Sequence, residues 1–169
     1  MTELHGARVT LRPAIGTDVE ALVAIRSTPG VRARWRGDDL QTDVRADVSS
    51  TDHHLLVIVD GGRIVGGIQW YREEDPDYRH AGIDVFVDPA VHGQGIGTDA
   101  VRTLARHLIA DHGHHRLVID PAADNPAAIR CYEKVGFRPV GVMRCYERGL
   151  DGTFHDGLLM DLMAEDLVD

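Results

Sequence analysis

The pattern of hydrophobic and polar residues along the chain predicts six strand segments. Each is a short run rich in β-branched residues, in which apolar side chains alternate with polar ones or follow one another without interruption. The runs span residues 7–14, 54–71, 81–89, 115–121, 137–148 and 154–164. The second run carries Asp60-Gly61-Gly62 between two β-branched stretches, which predicts a hairpin and brings the expected number of strands to seven.

Helical periodicity appears between these strands. Residues 17–27 follow a capping box, with Thr17 as the expected N-cap and Glu20 three residues later. A short second helix is expected over 42–48, and the turn-rich residues between the two helices, around Trp35, are expected to form a loop.

Two further helices lie in the second half of the chain. The first covers 97–111 and places its apolar residues on one face, at Ala100, Val101, Leu104 and Leu108. The second begins after Asn125, a good N-cap followed by a proline, and ends at Gly136. The element order predicts an α/β protein in which helices cover both faces of one mixed sheet, with no boundary for a second domain.

Charge and cysteine content narrow the functional classes. The formal charge of −9 argues against a nucleic-acid or anionic-membrane partner, and it suits either a cationic substrate or simple solubility. Two cysteines, Cys131 and Cys145, make neither a disulfide scaffold nor a four-ligand zinc site. No signal peptide or membrane-spanning run is visible, so a cytoplasmic location is expected.

The segment VHGQGIGTDA, residues 91–100, places three glycines directly before a helix. Such a turn brings backbone N–H groups close to an anion. A Walker P-loop is disfavoured because Thr98-Asp99 follow Gly97 where a lysine is needed. A dinucleotide fingerprint is disfavoured because its third glycine is displaced and too little chain follows Asp120. Two interpretations remain open. The segment is either a loop that binds the pyrophosphate of coenzyme A or a turn that binds nothing.

A second motif decides between these alternatives. The segment NPAAIRCYEKVGF resembles the N-x-x-A-x-x-x-Y-x-K-x-G-F segment of the GNAT superfamily of N-acetyltransferases, with matches at Asn125, Ala128, Tyr132, Lys134, Gly136 and Phe137. The glycine turn resembles the [Q/R]-x-x-G-x-[G/A] element of that superfamily, except that His92 stands at the first position. The resemblance implies one domain over residues 1–169. It implies a central, mostly antiparallel sheet of about six to seven strands flanked by about four helices.

The resemblance also implies acetyl-CoA as co-substrate and no metal. The expected cofactor-binding residues lie on the strand before the loop, in the loop and on the following motif helix. They are Phe86, Val87, His92, Gly93, Gln94, Gly95, Ile96, Gly97, Thr98, Asn125, Ala128 and Tyr132.

Acetyl transfer to an amine has requirements that follow from chemistry. The amine arrives protonated and needs a base, the tetrahedral oxyanion needs an N–H donor, and the leaving thiolate benefits from an acid. The resemblance makes Tyr132 the candidate acid, with a core tyrosine as the alternative. The oxyanion donor is expected in residues 85–87, although the sequence does not select one amide.

Two aspartates are the candidates for the amine side. Asp84 interrupts an apolar strand, and the aminoglycoside 6′-N-acetyltransferase branch of the superfamily carries an aspartate there in a G-[I/M]-D-Q strand. Here Val85 replaces the glutamine. Asp120 begins a match to that branch's D-P-x-x-x-N-x-x-A-I-R-x-Y segment. Asp84 is expected to act as base or amine anchor and Asp120 to contact substrate, the alternative being two structural acids.

Weaker signals complete the prediction. Trp35 is a candidate substrate-binding residue, and Trp70 is expected in the core. The acidic loop 73–77 either faces a polycation or is simply solvated, and His112, His114 and His115 lack the partners of a metal site.

The predicted activity is acetylation of a small amine, with an aminoglycoside 6′-amine as the first candidate. A protein N-terminus, a polyamine and a non-catalytic CoA-binding role are the alternatives, for a monomer or a homodimer.

Overall fold

The computed structural model describes residues 3–169, which form eight β-strands and five α-helices. The strands are β1 (Leu4–His5), β2 (Thr10–Pro13), β3 (His53–Asp60), β4 (Arg63–Glu73), β5 (His80–Val87), β6 (Arg116–Ile119), β7 (Arg138–Arg148) and β8 (Phe154–Met163). The helices are α1 (Val19–Arg26), α2 (Pro29–Arg32), α3 (Leu40–Val48), α4 (Ile96–Ala110) and α5 (Pro126–Glu133). None of these helices is long and apolar enough to cross a membrane.

All eight described strands belong to one sheet in the order β1-β2-β3-β4-β5-β6-β8-β7. Among the described strands, β5 and β6 form the one parallel pair, and the other neighbours run antiparallel. The predicted α/β class with a mostly antiparallel sheet is therefore confirmed. The strand count exceeds the expected six to seven because a two-residue strand, β1, precedes the predicted first strand.

The sheet separates two hydrophobic cores. One core packs α4 and α5 against the sheet, and the predicted apolar face of α4 is fully buried there. The other packs α1, α2 and α3 against β3 and Phe86 of β5. Trp70 is 1% exposed and belongs to the first core, as predicted. Each face of β5 therefore looks toward a different set of helices.

The start of the first helix was predicted wrongly. A 3-10 turn covers Gly16–Asp18, and α1 begins only at Val19, so Thr17 is not its N-cap. The Asp18 carboxylate accepts a hydrogen bond from the Ile15 amide and a bidentate pair from Arg12, at 2.8 and 2.9 Å. Pairing of Asp18 with Arg12, six residues earlier, outweighs the capping box predicted at Thr17. The predicted loop around Trp35 also contains a one-turn helix, α2.

A buried aspartate ties the first strands to the helix that follows the glycine turn. The Asp99 side chain, 8% exposed, accepts hydrogen bonds from the amides of Ala7, Arg8 and Val9 at 3.0, 2.8 and 2.9 Å. Asp99 lies in the first turn of α4, where its charge also suits the helix dipole. The N-terminal segment is thereby fixed beside the glycine turn.

Asp99→Ala is expected to lower the free energy of unfolding by about 3 kcal/mol, because three backbone donors lose a charged acceptor. Urea denaturation of the variant measures this loss. Asp99→Asn keeps one acceptor oxygen. Its free energy of unfolding should therefore lie between those of Asp99→Ala and the wild type. An unchanged midpoint in Asp99→Ala would show that water replaces the carboxylate without cost.

Candidate active site

A cleft opens where the two parallel strands separate. β5 and β6 are paired only at Ala81↔Leu117 and Gly82↔Val118, although both strands continue beyond these residues. The resulting cleft encloses about 1210 Å³. Every site residue predicted from the sequence lines it except Gln94.

The edge of β5 in this cleft carries free backbone amides. The Asp88 amide donates to Val65 O across the β4–β5 ladder, at 2.7 Å. Because amides alternate between the two edges of a strand, those of Val85 and Val87 point the other way, toward the cleft. This alternation selects two oxyanion donors from the predicted segment and excludes the Phe86 amide, whose residue pairs with Gly67 of β4.

The glycine turn has the geometry of an anion cradle. Gly93 and Gly95 adopt φ of 76° and 81°, in the left-handed region, and no described atom lies within 4 Å of a Cβ built on either. Backbone conformation and not packing therefore requires these glycines. Gly95 is the N-cap of the 15-residue α4, so the following N–H groups face the cleft at the positive end of the helix dipole. The residues present fit a diphosphate.

The neighbours of the turn hold its shape. His92 Nε2 donates to Val87 O at 3.0 Å, which links the turn to the end of β5. Gln94 faces away from the cleft, and its side-chain oxygen accepts from Arg8 at 3.1 Å, so only its backbone is available to a ligand. Thr98 Oγ1 lies 3.2 Å from Cys131 Sγ on α5, which joins the two halves of the predicted cofactor site.

Tyr132 reaches the cleft from α5. The Asn125 side chain caps this helix by accepting from the Ala128 amide at 3.3 Å, and both residues line the cleft, as does Ile96. Burial raises the pKa of the Tyr132 hydroxyl, so it stays protonated. Within residues 3–169 the hydroxyl has no hydrogen-bond partner, although the residue is only 7% exposed. A buried phenol aimed into a cleft is available to donate a proton or a hydrogen bond.

Asp84 lies on one face of β5, and the core that contains Tyr132 packs on the other face. Its neighbour on β4 is Gln69, which pairs with it in the sheet. Gln69 Nε2 donates to Asp84 Oδ2 at 3.2 Å, while the buried Gln69 Oε1 has no partner within residues 3–169. Burial raises the pKa of Asp84, and the nearby Asp120 charge adds to the rise. Sequence reasoning missed Gln69, and its polar character inside the apolar β4 run was the available signal.

Asp120 ends β6 across the cleft from Asp84. Burial raises its pKa, and a hydrogen bond from the Tyr146 hydroxyl partly offsets this rise. Within residues 3–169 neither Asp84 nor Asp120 forms an ion pair. The structure thus brings the two predicted carboxylates together and leaves both without a cation.

The Asp84 carboxylate is expected to reduce stability at high pH. Its folded pKa lies above the ordinary value of 3.8, so the protonated form is stabilising and that stability is lost as the pH rises through the folded pKa. Asp84→Asn should therefore melt at a higher temperature than the wild type at pH 8. The difference should disappear near pH 4, and thermal melts at both pH values measure it. An equal or lower melting temperature at pH 8 would contradict a buried, unpaired charge.

Trp35 lines the cleft from the loop after α2. Its ring packs edge-on against Phe86 at a centroid distance of 4.8 Å, and the buried Arg26 guanidinium lies 5.8 Å from the Trp35 ring centroid. The Trp35 loop reaches across the cleft at two points. Arg36 donates to Arg148 O at 2.7 Å, and Arg34 pairs with Asp124.

The histidine-rich segment packs beside Trp70. His112 packs against Trp70 at 4.9 Å and lies 3.1 Å from His107 through their Nε2 atoms. No group of three or more candidate ligands occurs within residues 3–169. The segment instead covers the buried end of Trp70.

Comparison with known proteins identifies the class that this fold and cleft define. The sequence profile described as the acetyltransferase (GNAT) family matches residues 22–137, more than half of the chain. The chain therefore belongs to the GNAT acetyltransferase family, and several of the proteins it is similar to are named as N-acetyltransferases.

Individual relatives differ in their named acceptors. Aminoglycoside N(6′)-acetyltransferase type 1 of Klebsiella pneumoniae is 41% identical over 75 residues, which are 44% of this chain and 36% of that protein. The match thus spans about a third of that relative's length. N-alpha-acetyltransferase RimI of Mycobacterium tuberculosis is 32% identical over 103 residues, 60% of this chain and 63% of that protein. The structure of AAC(6′)-Ib in complex with parmomycin and acetyl-CoA superposes with a TM-score of 0.77 at 26% identity, covering 94% of this chain and 95% of that one.

Gly95→Ala is expected to weaken CoA binding by about 10-fold, because an L-residue at this φ costs about 1–2 kcal/mol and shifts the amides of the turn. Calorimetric titration with CoA measures the effect. The matched control is Gly62→Ala, which has φ of 79° in the β3–β4 turn. The control should lose stability and keep its affinity for CoA. An unchanged CoA affinity in Gly95→Ala would show that the diphosphate of CoA does not bind at this turn.

Proposed function

We propose that this acetyltransferase moves an acetyl group from acetyl-CoA directly to a primary amine of a small polycationic acceptor, with the 6′-amine of an aminoglycoside as the first candidate. The observation that carries the proposal is the placement of Asp84 and Asp120. Both carboxylates face one cleft from the separated strands β5 and β6, without a cation, beside the glycine turn and Tyr132.

The CoA side of the proposal uses backbone groups. The amides of residues 93–98 would hold the diphosphate, and the amides of Val85 and Val87 would stabilise the oxyanion as the amine adds to the thioester carbonyl. Tyr132 would donate a proton to the departing thiolate. Solved relatives hold CoA or acetyl-CoA, according to their descriptions, which supports the same ligand here.

The amine side uses Asp84. An aspartate at its ordinary pKa is a poor base for an ammonium whose pKa is roughly 10. Burial raises the pKa of Asp84 and narrows this gap, and Gln69 orients the carboxylate by donating to its Oδ2. Asp84 would anchor the amine and take its proton directly or through one water.

The test is release of free thiol from acetyl-CoA with a panel of acceptors. Kanamycin, tobramycin, spermidine and several N-terminal peptides cover the alternatives. Saturable turnover with micromolar KM on the aminoglycosides supports the proposal. Fast turnover of spermidine or a peptide beside no aminoglycoside turnover would refute the aminoglycoside acceptor and leave the acetyltransferase assignment intact.

Acetylation of a protein N-terminus is the second candidate. Arg34 and Arg36 lie at the acceptor end of the cleft, where they would repel a polycation and attract an acidic peptide side chain. The relative named N-alpha-acetyltransferase RimI also supports this acceptor. Preference for a peptide with an acidic second residue in the same panel would favour it.

A further inference from the structure

Glu147 of β7 brings a third carboxylate to the cleft. Met143 pairs with Gly157 and Glu147 pairs with His155, so three residues of β7 lie opposite Asp156 alone. At the centre of this bulge Cys145 adopts φ of 50°, which non-glycine residues rarely do. The Asp156 carboxylate holds the bulge by accepting from the Cys145 amide at 2.8 Å.

The bulge directs the residues after it into the cleft. Tyr146, Glu147 and Arg148 all line it, and the Tyr146 hydroxyl contacts Asp120. Partial burial raises the pKa of Glu147 and the Asp120 charge raises it further, while the charges of Arg34, Arg36 and His155 lower it. The charge of Glu147 in turn raises the pKa of Asp84. Three acids from three strands therefore share one electrostatic environment.

Arg34 and Arg36, whose charges act on Glu147, each have another partner. Arg34 pairs with Asp124, and Arg36 donates to Arg148 O. Within residues 3–169, Glu147, like Asp84 and Asp120, has no ion-pair partner. Gln69 lines the same cleft, and its Oε1 is a buried acceptor without a donor within residues 3–169. Three carboxylates that lie close together repel one another. This repulsion destabilises the cleft unless a ligand supplies cationic N–H donors.

We propose that Glu147 determines specificity for acceptors with more than one amine. Asp84, oriented by Gln69, holds the amine to be acetylated, and Glu147, beside Asp120, binds a second ammonium of the same molecule. The inference rests on the proposed function and extends it. It assigns the selection of polyamines over single amines to a bulge in β7, a strand that carries none of the predicted site residues.

Calorimetry on the protein saturated with CoA tests this without requiring turnover. The two probes are kanamycin, which has several amines, and 6-amino-6-deoxyglucose, which has one. Glu147→Gln should weaken kanamycin binding by about 10-fold or more, since a charged hydrogen bond is lost. The affinities of Glu147→Gln for the single-amine sugar and for CoA should stay within about twofold of those of the wild type. Glu147→Asp keeps the charge and should restore part of the affinity, while Glu73→Gln, at the exposed end of β4, is the matched control.

The outcomes separate this inference from the proposed function. Equal weakening of both probes, or of neither, overturns the role of Glu147, as does a wild type that binds kanamycin no more tightly than the single-amine sugar. Turnover of kanamycin with unchanged binding by Glu147→Gln would refute the inference alone. Glu147-dependent binding of kanamycin without thiol release would refute the proposed function and leave the inference standing.

Discussion

Asp84→Asn is expected to lower kcat/KM for the amine acceptor by about 10²- to 10³-fold, the usual contribution of a positioned general base. Asparagine keeps the shape and the hydrogen bond from Gln69 but can neither pair with the ammonium nor take its proton. The proposed diphosphate site lies at the glycine turn, away from Asp84, so CoA affinity should not change. Initial rates of thiol release over a range of acceptor concentrations measure the loss.

The control for this variant is Asp77→Asn, which removes the same charge from an exposed loop. It should leave kcat/KM within about twofold of the wild type, because exposed charges at a distance contribute little. Near-normal turnover by Asp84→Asn would show that the carboxylate is structural. In that case the amine would lose its proton to solvent before binding.

The environment of Asp84 also predicts a pH effect. The Asp120 charge raises the pKa of Asp84, so Asp120→Asn should move the acid limb of the kcat/KM profile to lower pH. The amine titrates identically in both enzymes, and its contribution cancels in the comparison. A profile that does not move would show that Asp84 does not control the limb.

Tyr132→Phe is expected to lower kcat by about 10²-fold and to leave KM for acetyl-CoA nearly unchanged. The hydroxyl has no hydrogen-bond partner within residues 3–169, while the ring packs on Phe137 at a centroid distance of 6.3 Å. Phenylalanine preserves this packing, so the melting temperature should stay within about 2 °C. Steady-state kinetics and a thermal melt together separate loss of an acid from loss of the core.

Phe137→Leu provides the contrast to Tyr132→Phe. Phe137 is 2% exposed, and the smaller side chain should lower stability by about 1–2 kcal/mol while the acid remains in place. An unchanged kcat in Tyr132→Phe would show that the thiolate leaves without protonation by this residue.

The conformation of the glycine turn and the start of α5 were predictable because both depend on local sequence. Gly93 and Gly95 need positive φ, Asn125 caps α5, and each feature is encoded within a few residues. The structure adds the orientation of the amides, which selects Val85 and Val87, and turns the Gln94 side chain toward Arg8. Side-chain direction at these positions depends on strand pairing that the sequence does not specify.

The acceptor side was harder to predict because it depends on contacts between distant segments. Glu147 reaches the cleft through a bulge that needs Cys145 at positive φ, a conformation that no local signal announces. Gln69 meets Asp84 only through the register of β4 on β5. Similarly, the Arg12–Asp18 pair displaced the predicted cap at Thr17.

Mass spectrometry of kanamycin after incubation with acetyl-CoA and the enzyme tests the proposed reaction most directly. We predict a kanamycin carrying one acetyl group, located by fragmentation on the 6′-amine, at a rate that falls at least 100-fold in Asp84→Asn. Unmodified kanamycin, in a reaction where the same enzyme acetylates a peptide N-terminus, would contradict the polycationic acceptor.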